Sequence, residues 1–499
     1  MASRRRGPQA HMDLPAARRM VMLAADPNPR PPNAFMTDPH SRPTAADRIA
    51  PAVWKVAAVV SLGSFMSQMD STLVSVSLST IGHALDAHLA SAQWIVTGYL
   101  LAMALTLPLN GWLVDRVGAK RLYVFCFSTF TFASALCGLA HSMSALIAAR
   151  LFQGLIAGIL VPMAQMMIGR VAGKHLERVM GYATLPILLG PILGPMLAGA
   201  ILARAEWPWL FFVNVPIGAM GVAMAWRLLP RDADTHARRN FDFLGFALIS
   251  PGLVALVYGL QNAARGEGQR CVLAGALLLA AFIAYSLRKR DAALIDVRIF
   301  STRVFSIAAV TQCCANGMLF GRQLVVPLYL MLACGLSAAQ AGTLLAATGV
   351  GMMAAFAVLG PLTQKFGCRA LAAGGALLAC VATLVLAWMA AHTYSTAWAF
   401  ASLVLAGFGQ GTISVPSISA AYASLPKANL PTANTALNIA QRIGGPLATT
   451  MISLTVALAM RDTSVAQSQH FVPAFVLLAA LHGLCLLATL GLPVRVIRQ

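Results

Sequence analysis

From residue 54 onward the chain is written in apolar runs of about 20 residues, separated by short polar stretches. At a rise of about 1.5 Å per residue, a helix of that length crosses the hydrocarbon of a bilayer. The pattern predicts fourteen transmembrane helices, with limits near 54–80, 92–114, 121–140, 143–168, 179–202, 209–229, 242–261, 271–288, 304–333, 338–361, 370–391, 397–422, 432–459 and 470–492. The runs do not alternate with period two, which excludes a β-barrel. Residues 1–52 are different: rich in Arg, Pro, Ala and Asp, they have no sustained apolar run. They predict a disordered cytoplasmic tail, and they lack the apolar core of a signal peptide. Met12, Met20, Met22 and Met36 within it are alternative starts.

Composition agrees with this reading. Hydrophobic residues make up 58% of the 499 and charged residues 10%, with a mean hydropathy of +0.73. Soluble domains carry about 25% charged residues, so soluble and secreted classes are set aside. The net charge of +20 reads as topology once its placement is considered. Of the Lys and Arg residues, 29 fall in the amino-terminal segment, alternate loops and the carboxy-terminal tail, 4 in the opposite loops and three inside spans. The positive-inside bias then puts both termini of this multi-pass membrane protein in the cytoplasm. A nucleic-acid partner is not needed to explain the charge; attraction to anionic lipid follows from it. Nine Cys form no disulfide framework and no metal-ligand spacing. No cofactor is implied, no GxxxxGK[ST] loop argues for an ATP-driven pump, and no Ser/His/Asp grouping argues for an enzyme.

Two segments repeat. Gly111–Arg121 (GWLVDRVGAKR) follows span 2 and Gly360–Arg369 (GPLTQKFGCR) follows span 10; Gln153-Gly154 in span 4 is matched by Gln410-Gly411 in span 12. Internal repeats are common in transporters whose halves rock about a site at mid-membrane. The division expected is a tail at 1–52, a six-helix bundle at 53–230, an inserted helix pair with linkers at 231–303, and a second six-helix bundle at 304–499.

The motifs resemble the major facilitator superfamily, specifically its 14-spanning drug:proton antiporter family of the EmrB/QacA type. Met69–Val76 (MDSTLVSV) is similar to LDxTIVNV, and Gln93–Leu101 (QWIVTGYLL) to QWVVTAYLL. Gly111–Arg121 matches GxLxDRxGRKR, Ala149–Gly154 matches RxxQG, and Gly190–Pro195 (GPILGP) matches the antiporter signature GPxxGP. Trp209–Gly218 resembles WRWIFLINVPIG, and Gln441–Gly445 resembles RQIGG with its first two residues exchanged. The resemblance implies the major facilitator fold, two six-helix bundles plus two inserted helices. It also implies proton-coupled efflux of hydrophobic or cationic drugs by alternating access, conferring drug resistance. Implied partners are the proton, a small-molecule substrate and, as a further expectation, a periplasmic adaptor and outer-membrane channel, though no segment reads as their docking site.

Proton coupling needs a group that titrates inside the membrane, and only Asp70 among the 16 acids lies well inside a span. Intramembrane ionisable residues are functional by default because their burial is costly. Counting helical rise puts Asp70 about 15 Å and Arg150 about 10 Å from the outer face, within reach of each other. The family resemblance gives Arg150 a part in proton transfer. It gives Gly111, Asp115, Arg116, Gly118, Lys120 and Arg121 the role of a gating loop; physically, Asp115 suits a helix N-terminus, where negative charge is favoured, and Gly118 a tight turn. It makes Gly190, Pro191, Gly194, Pro195 and Gly199 a seal against proton leak. Arg322, about 16 Å from the outer end of span 9 by the same rise, is expected to face the cavity. Gln153 and Gln410 are further cavity candidates; Arg442 is expected to be structural. Two rival functions stand beside efflux: an exporter of one metabolite or organic anion anchored by Arg322, and a non-transporting receptor or scaffold.

Overall fold

The computed structural model describes residues 49–232, 240–263, 265–426, 429–461 and 467–494. The amino-terminal segment expected to be disordered lies, through residue 48, outside the described residues, as do residues 495–499 and the side chains of Pro191 and Pro195. The described residues form helices and no strand. In chain order these are α1 Pro51–Val76, α2 Leu78–Ala84, α3 Leu89–Thr106, α4 Asn110–Val117, α5 Ala119–Gly138, α6 Met143–Val171, α7 Leu176–Leu202 and α8 Trp209–Phe212. There follow α9 Asn214–Leu228, α10 Phe243–Gln261, α11 Gly266–Lys289, α12 Arg303–Leu328, α13 Ala338–Ala391, α14 Thr396–Ala423, α15 Leu430–Ala459 and α16 Val472–Thr489.

Among the described residues, eleven helical segments are long and apolar enough to cross a membrane, against the fourteen runs expected. The difference has local causes. The runs at 338–361 and 370–391 belong to one segment, Gln340–Ala391, bent at Gly367 (φ 80°, ψ 169°). α1 and α7 are outside the set; α1 carries Lys55, Asp70 and several hydroxyls among its apolar residues.

Sequence chemistry sets the helix ends. Ser142 caps α6 by accepting from the Ala145 N–H, and Ser337 and Gln340 cap α13 reciprocally. Gly118 separates α4 from α5 at φ 93°, ψ 152°, close to the conformation of Gly367. A side chain is strained at such a φ. Each glycine stands seven residues after the first glycine of its repeated segment, so the similarity in sequence is also a similarity in backbone.

α1, α3, α5, α6, α7 and α9 pack on one another, as do α12, α13, α14, α15 and α16. α11 lies on α10, and α10 touches both groups through α3 and α15. There Trp94 stacks on Tyr258 at 6.2 Å, and Thr450 donates to the Leu260 carbonyl. The linker before α10 is held by Asp242, just ahead of Phe243. It accepts from the Gly245 and Leu294 N–H groups, the Tyr285 hydroxyl and Lys289 Nζ, at 2.7–3.1 Å. Burial favours its neutral form, but these donors outweigh burial and hold its carboxyl below the usual range.

Candidate functional site

Asp70 sits in the last third of α1, completely buried. Its Oδ2 accepts from Arg150 Nη1 of α6 at 2.5 Å. Its Oδ1 accepts from Asn214 Nδ2 of α9 at 2.9 Å and from Gln153 Nε2, one turn beyond Arg150, at 3.3 Å. Arg150 Nη1 also donates to Gln153 Oε1 at 2.7 Å, and its Nε to the Ile95 carbonyl of α3 at 3.3 Å. The guanidinium lies over the Tyr99 ring, 4.3 Å from the centroid. Tyr99 in turn shares a hydrogen bond with Ser67. Asn214 Nδ2 reaches Ser134 of α5 as well, at 3.1 Å.

A buried carboxylate is tolerated when it is paired and its lone pairs are filled. Four helices supply what Asp70 needs: α1 the acid, α6 the guanidinium, α9 an amide, α3 an aromatic face. Two polar atoms within the network have no partner, Arg150 Nη2 and Asn214 Oδ1. Sequence reasoning brought Asp70 and Arg150 to one level and placed Gln153 in a cavity; here Gln153 is buried in the Asp70 network. Asn214 and Tyr99 it named only as motif letters. The available signal was an amide in an otherwise apolar stretch, which must find a partner when buried.

α7 lies along α1 at the same level. A Cβ on Gly190 would come within 3.0 Å of Gln68 Cβ, and one on Gly194 within 2.7 Å of Thr72 Cβ. These neighbours flank Asp70, so two glycines of the GPxxGP segment let α7 approach the acid-bearing stretch of α1. Gly199 has nothing within 4 Å and takes no part in this approach.

The Gly111–Arg121 segment comprises α4, the Gly118 turn and the start of α5. Gly111 lies against the Pro431 backbone of α15, 3.5 Å from where its Cβ would be. Asp115 is in the last turn of α4 rather than at the start of a helix. The carboxylate at the N-terminus of α5 is Asp232, which accepts from the Lys120 N–H at 2.8 Å and the Arg121 N–H at 3.1 Å. Lys120 Nζ donates to the Leu229 carbonyl, and Arg116 lies over the Trp112 ring at 5.5 Å.

Cross-bundle contacts gather at the face that carries this segment. Asn434 Nδ2 of α15 donates to the Pro162 carbonyl of α6 at 2.9 Å, and Asn438 Nδ2 to Gln165 Oε1 at 3.3 Å. Ser419 of α14 bonds Glu177 of α7. Gly181 of α7 meets the Phe356 carbonyl of α13, 2.9 Å from a built Cβ, and Gly360 meets Arg178.

The other expected cavity residues are placed differently. Gln410 is buried and donates to the Ala315 carbonyl at 2.8 Å, joining α14 to α12. Arg322 is 2% exposed, its Nη1 and Nη2 have no partner, and it is near enough for its charge to act on His482. It therefore does not face an open cavity in this conformation. No group of His, Cys, Asp or Glu that could hold a metal ion occurs among the described residues.

Comparison with known proteins adds a family and relatives. Residues 60–449 match the model of the Major Facilitator Superfamily. The chain is 32% identical over 427 residues to the multidrug resistance protein B homolog of Mycobacterium tuberculosis, covering 84% of this chain and 79% of that one. It is 29% identical over 335 residues to the putative multidrug resistance protein MdtD of Cronobacter sakazakii, covering 66% and 70%. Among solved structures, the human organic anion transporter MFSD10 superposes with a TM-score of 0.63 at 17% identity, over 88% of this chain and 100% of that one. The proton:xylose symporter XylE does so with a TM-score of 0.61 at 14% identity, over 88% and 95%.

Proposed function

The chain belongs to the Major Facilitator Superfamily, and from that premise we propose that it is a proton-coupled multidrug efflux antiporter working by alternating access. The observation that carries the reading is the Asp70 network. The one acid well inside a span is completely buried and held by Arg150, Gln153 and Asn214. A charge kept at that cost is a functional group by expectation, and the packing of Gly190 and Gly194 on α1 links it to the helix with the antiporter signature. Proton loading neutralises Asp70 and removes the counter-charge of Arg150. Loss of the 2.5 Å ion pair then changes how α1 and α6 hold together, a local event that the rocking bundles amplify.

The basic loops put the Gly111–Arg121 face in the cytoplasm, together with both termini. Fourteen crossings satisfy that orientation: the eleven segments, a second one from the bend at Gly367, and α1 and α7. The contacts at Gly111, Asn434, Asn438, Glu177 and Gly181 then close the cytoplasmic side, and this conformation is the one closed inward. The expulsive drive is about 2.3 kcal/mol per charge per 100 mV, plus about 1.36 kcal/mol per pH unit. In everted vesicles, added substrate releases protons and an uncoupler abolishes the release. Asp70→Asn folds and loses this exchange. Normal exchange by Asp70→Asn would overturn the assignment.

A further inference from the structure

α15 turns one stripe of residues toward the other bundle. Asn434 and Asn438 bond across to α6, and Arg442, one turn further, continues the stripe. Its Nη2 meets Met103 Sδ of α3 at 2.6 Å. Its charge also reaches Tyr99, one turn before Met103 and beneath Arg150. Among the described residues Arg442 makes no other side-chain hydrogen bond. Arg442 as a residue is half-buried; a thioether is a weak acceptor, so most of the five N–H donors of its guanidinium have no partner among the described residues.

Among the described residues no acid is bonded to it. Asp70 is spent within its own bundle on three donors, and Glu177 is bonded to Ser419 at the cytoplasmic face. Two further ion pairs, Asp242 with Lys289 and Asp296 with Arg298, belong to the linkers around the inserted helices. Among the described residues the bundle interface around α15 thus offers the Arg442 cation and the Asn438 amide, with Gln441 and Asn316 bonded behind them inside the second bundle, and no carboxylate is bonded to Arg442 there. An ammonium entering there meets repulsion; an anionic oxygen meets a fork of charged donors held only by a thioether.

We infer that Arg442 is the charge-selecting residue of the substrate site, and that the preferred cargo is a hydrophobic body bearing one anionic oxygen group rather than a cation. The inference rests on the exporter reading and names its substrate class. It also moves the expected anion anchor from Arg322, sealed in its bundle, to Arg442, which faces the partner bundle.

The test uses two fluorescent probes with permanent charges, pyrene sulfonate and a pyrenyl trimethylammonium salt. Binding to the purified protein is measured by anisotropy, and proton-driven uptake in proteoliposomes reconstituted with the full chain. Wild type binds and transports the sulfonate in preference to the ammonium, by about tenfold or more in Kd, the usual scale for a hydrogen bond to a charged group. Arg442→Gln loses that preference while melting like wild type, and Arg442→Lys keeps a reduced one. A wild-type preference for the ammonium, or an unchanged preference in Arg442→Gln, overturns the inference and leaves the exporter reading standing. If a gradient moves neither probe nor any hydrophobic drug, the exporter reading fails and takes the inference with it.

Discussion

Asp70 and Arg150 form a pair that neither residue can leave cheaply. Removing one partner of a buried ion pair costs about 3–5 kcal/mol, whereas replacing both by neutral groups is often nearly free. Arg150→Met therefore lowers the melting temperature in detergent sharply, and adding Asp70→Asn restores much of the loss. If the double variant melts no higher than Arg150→Met, the pair is not the unit of stability described here. Arg322 is the opposite case. Its two terminal nitrogens are buried without acceptors, an arrangement whose full desolvation cost is uncompensated. Arg322→Met should raise the melting temperature, and a fall would mean that an acceptor reaches it. In the sequence, Asp70 stood out as the lone acid in apolar surroundings, and the depth of Arg150 followed from counting turns. Asn214 could not be paired with Asp70 in advance. The two are 144 residues apart, and nothing local says which face of α9 turns inward.

At the level of helices, the approach of α7 to α1 depends on missing side chains. Gly194→Val places a branched group where Thr72 already stands and displaces the stretch of α1 around Asp70; proton-coupled transport falls while insertion is retained. Gly199→Ala, at a position with nothing within 4 Å, leaves transport unchanged. Equal effects in transport assays would remove the distinction between the two glycines. Asp242 makes a pH prediction for the linker into α10. Its folded carboxyl titrates below the ordinary value, which is about 3.9. Its stabilisation is therefore present above that value and lost as pH falls through the lower folded one. The melting-temperature gap between wild type and Asp242→Asn is widest near neutrality and closes below about pH 4. Helix positions were legible because hydrophobic length dictates them. The cap on α5 was not: Asp115 had the family spacing, but Asp232, more than a hundred residues away, supplies the carboxylate.

For the molecule as a whole, the contacts at the Gly111–Arg121 face define one conformation, and locking it should stop the cycle. A Cβ at position 360 would lie 3.1 Å from Arg178 Cβ, a few tenths of an ångström inside the separation of about 3.5–4.5 Å that a disulfide spans, so a small separation of α7 and α13 admits the bond. The pair Gly360→Cys and Arg178→Cys crosslinks under oxidation and arrests transport, and reduction releases it. Crosslinked protein that still transports would show that this face need not open. The repeated segments imply two related bundles, and Gly118 and Gly367 share a backbone conformation within them. What repetition could not tell is how unequal the halves are. Every side chain bonded to Asp70 comes from residues 51–228, while Arg442 comes from the other half. On the proposed reading, the Asp70 network that couples the proton and the charge that selects the cargo then sit in different halves, so one can change without the other. A hybrid that keeps this amino-terminal half and borrows its remainder from a relative should inherit the relative's resistance spectrum with its own coupling intact.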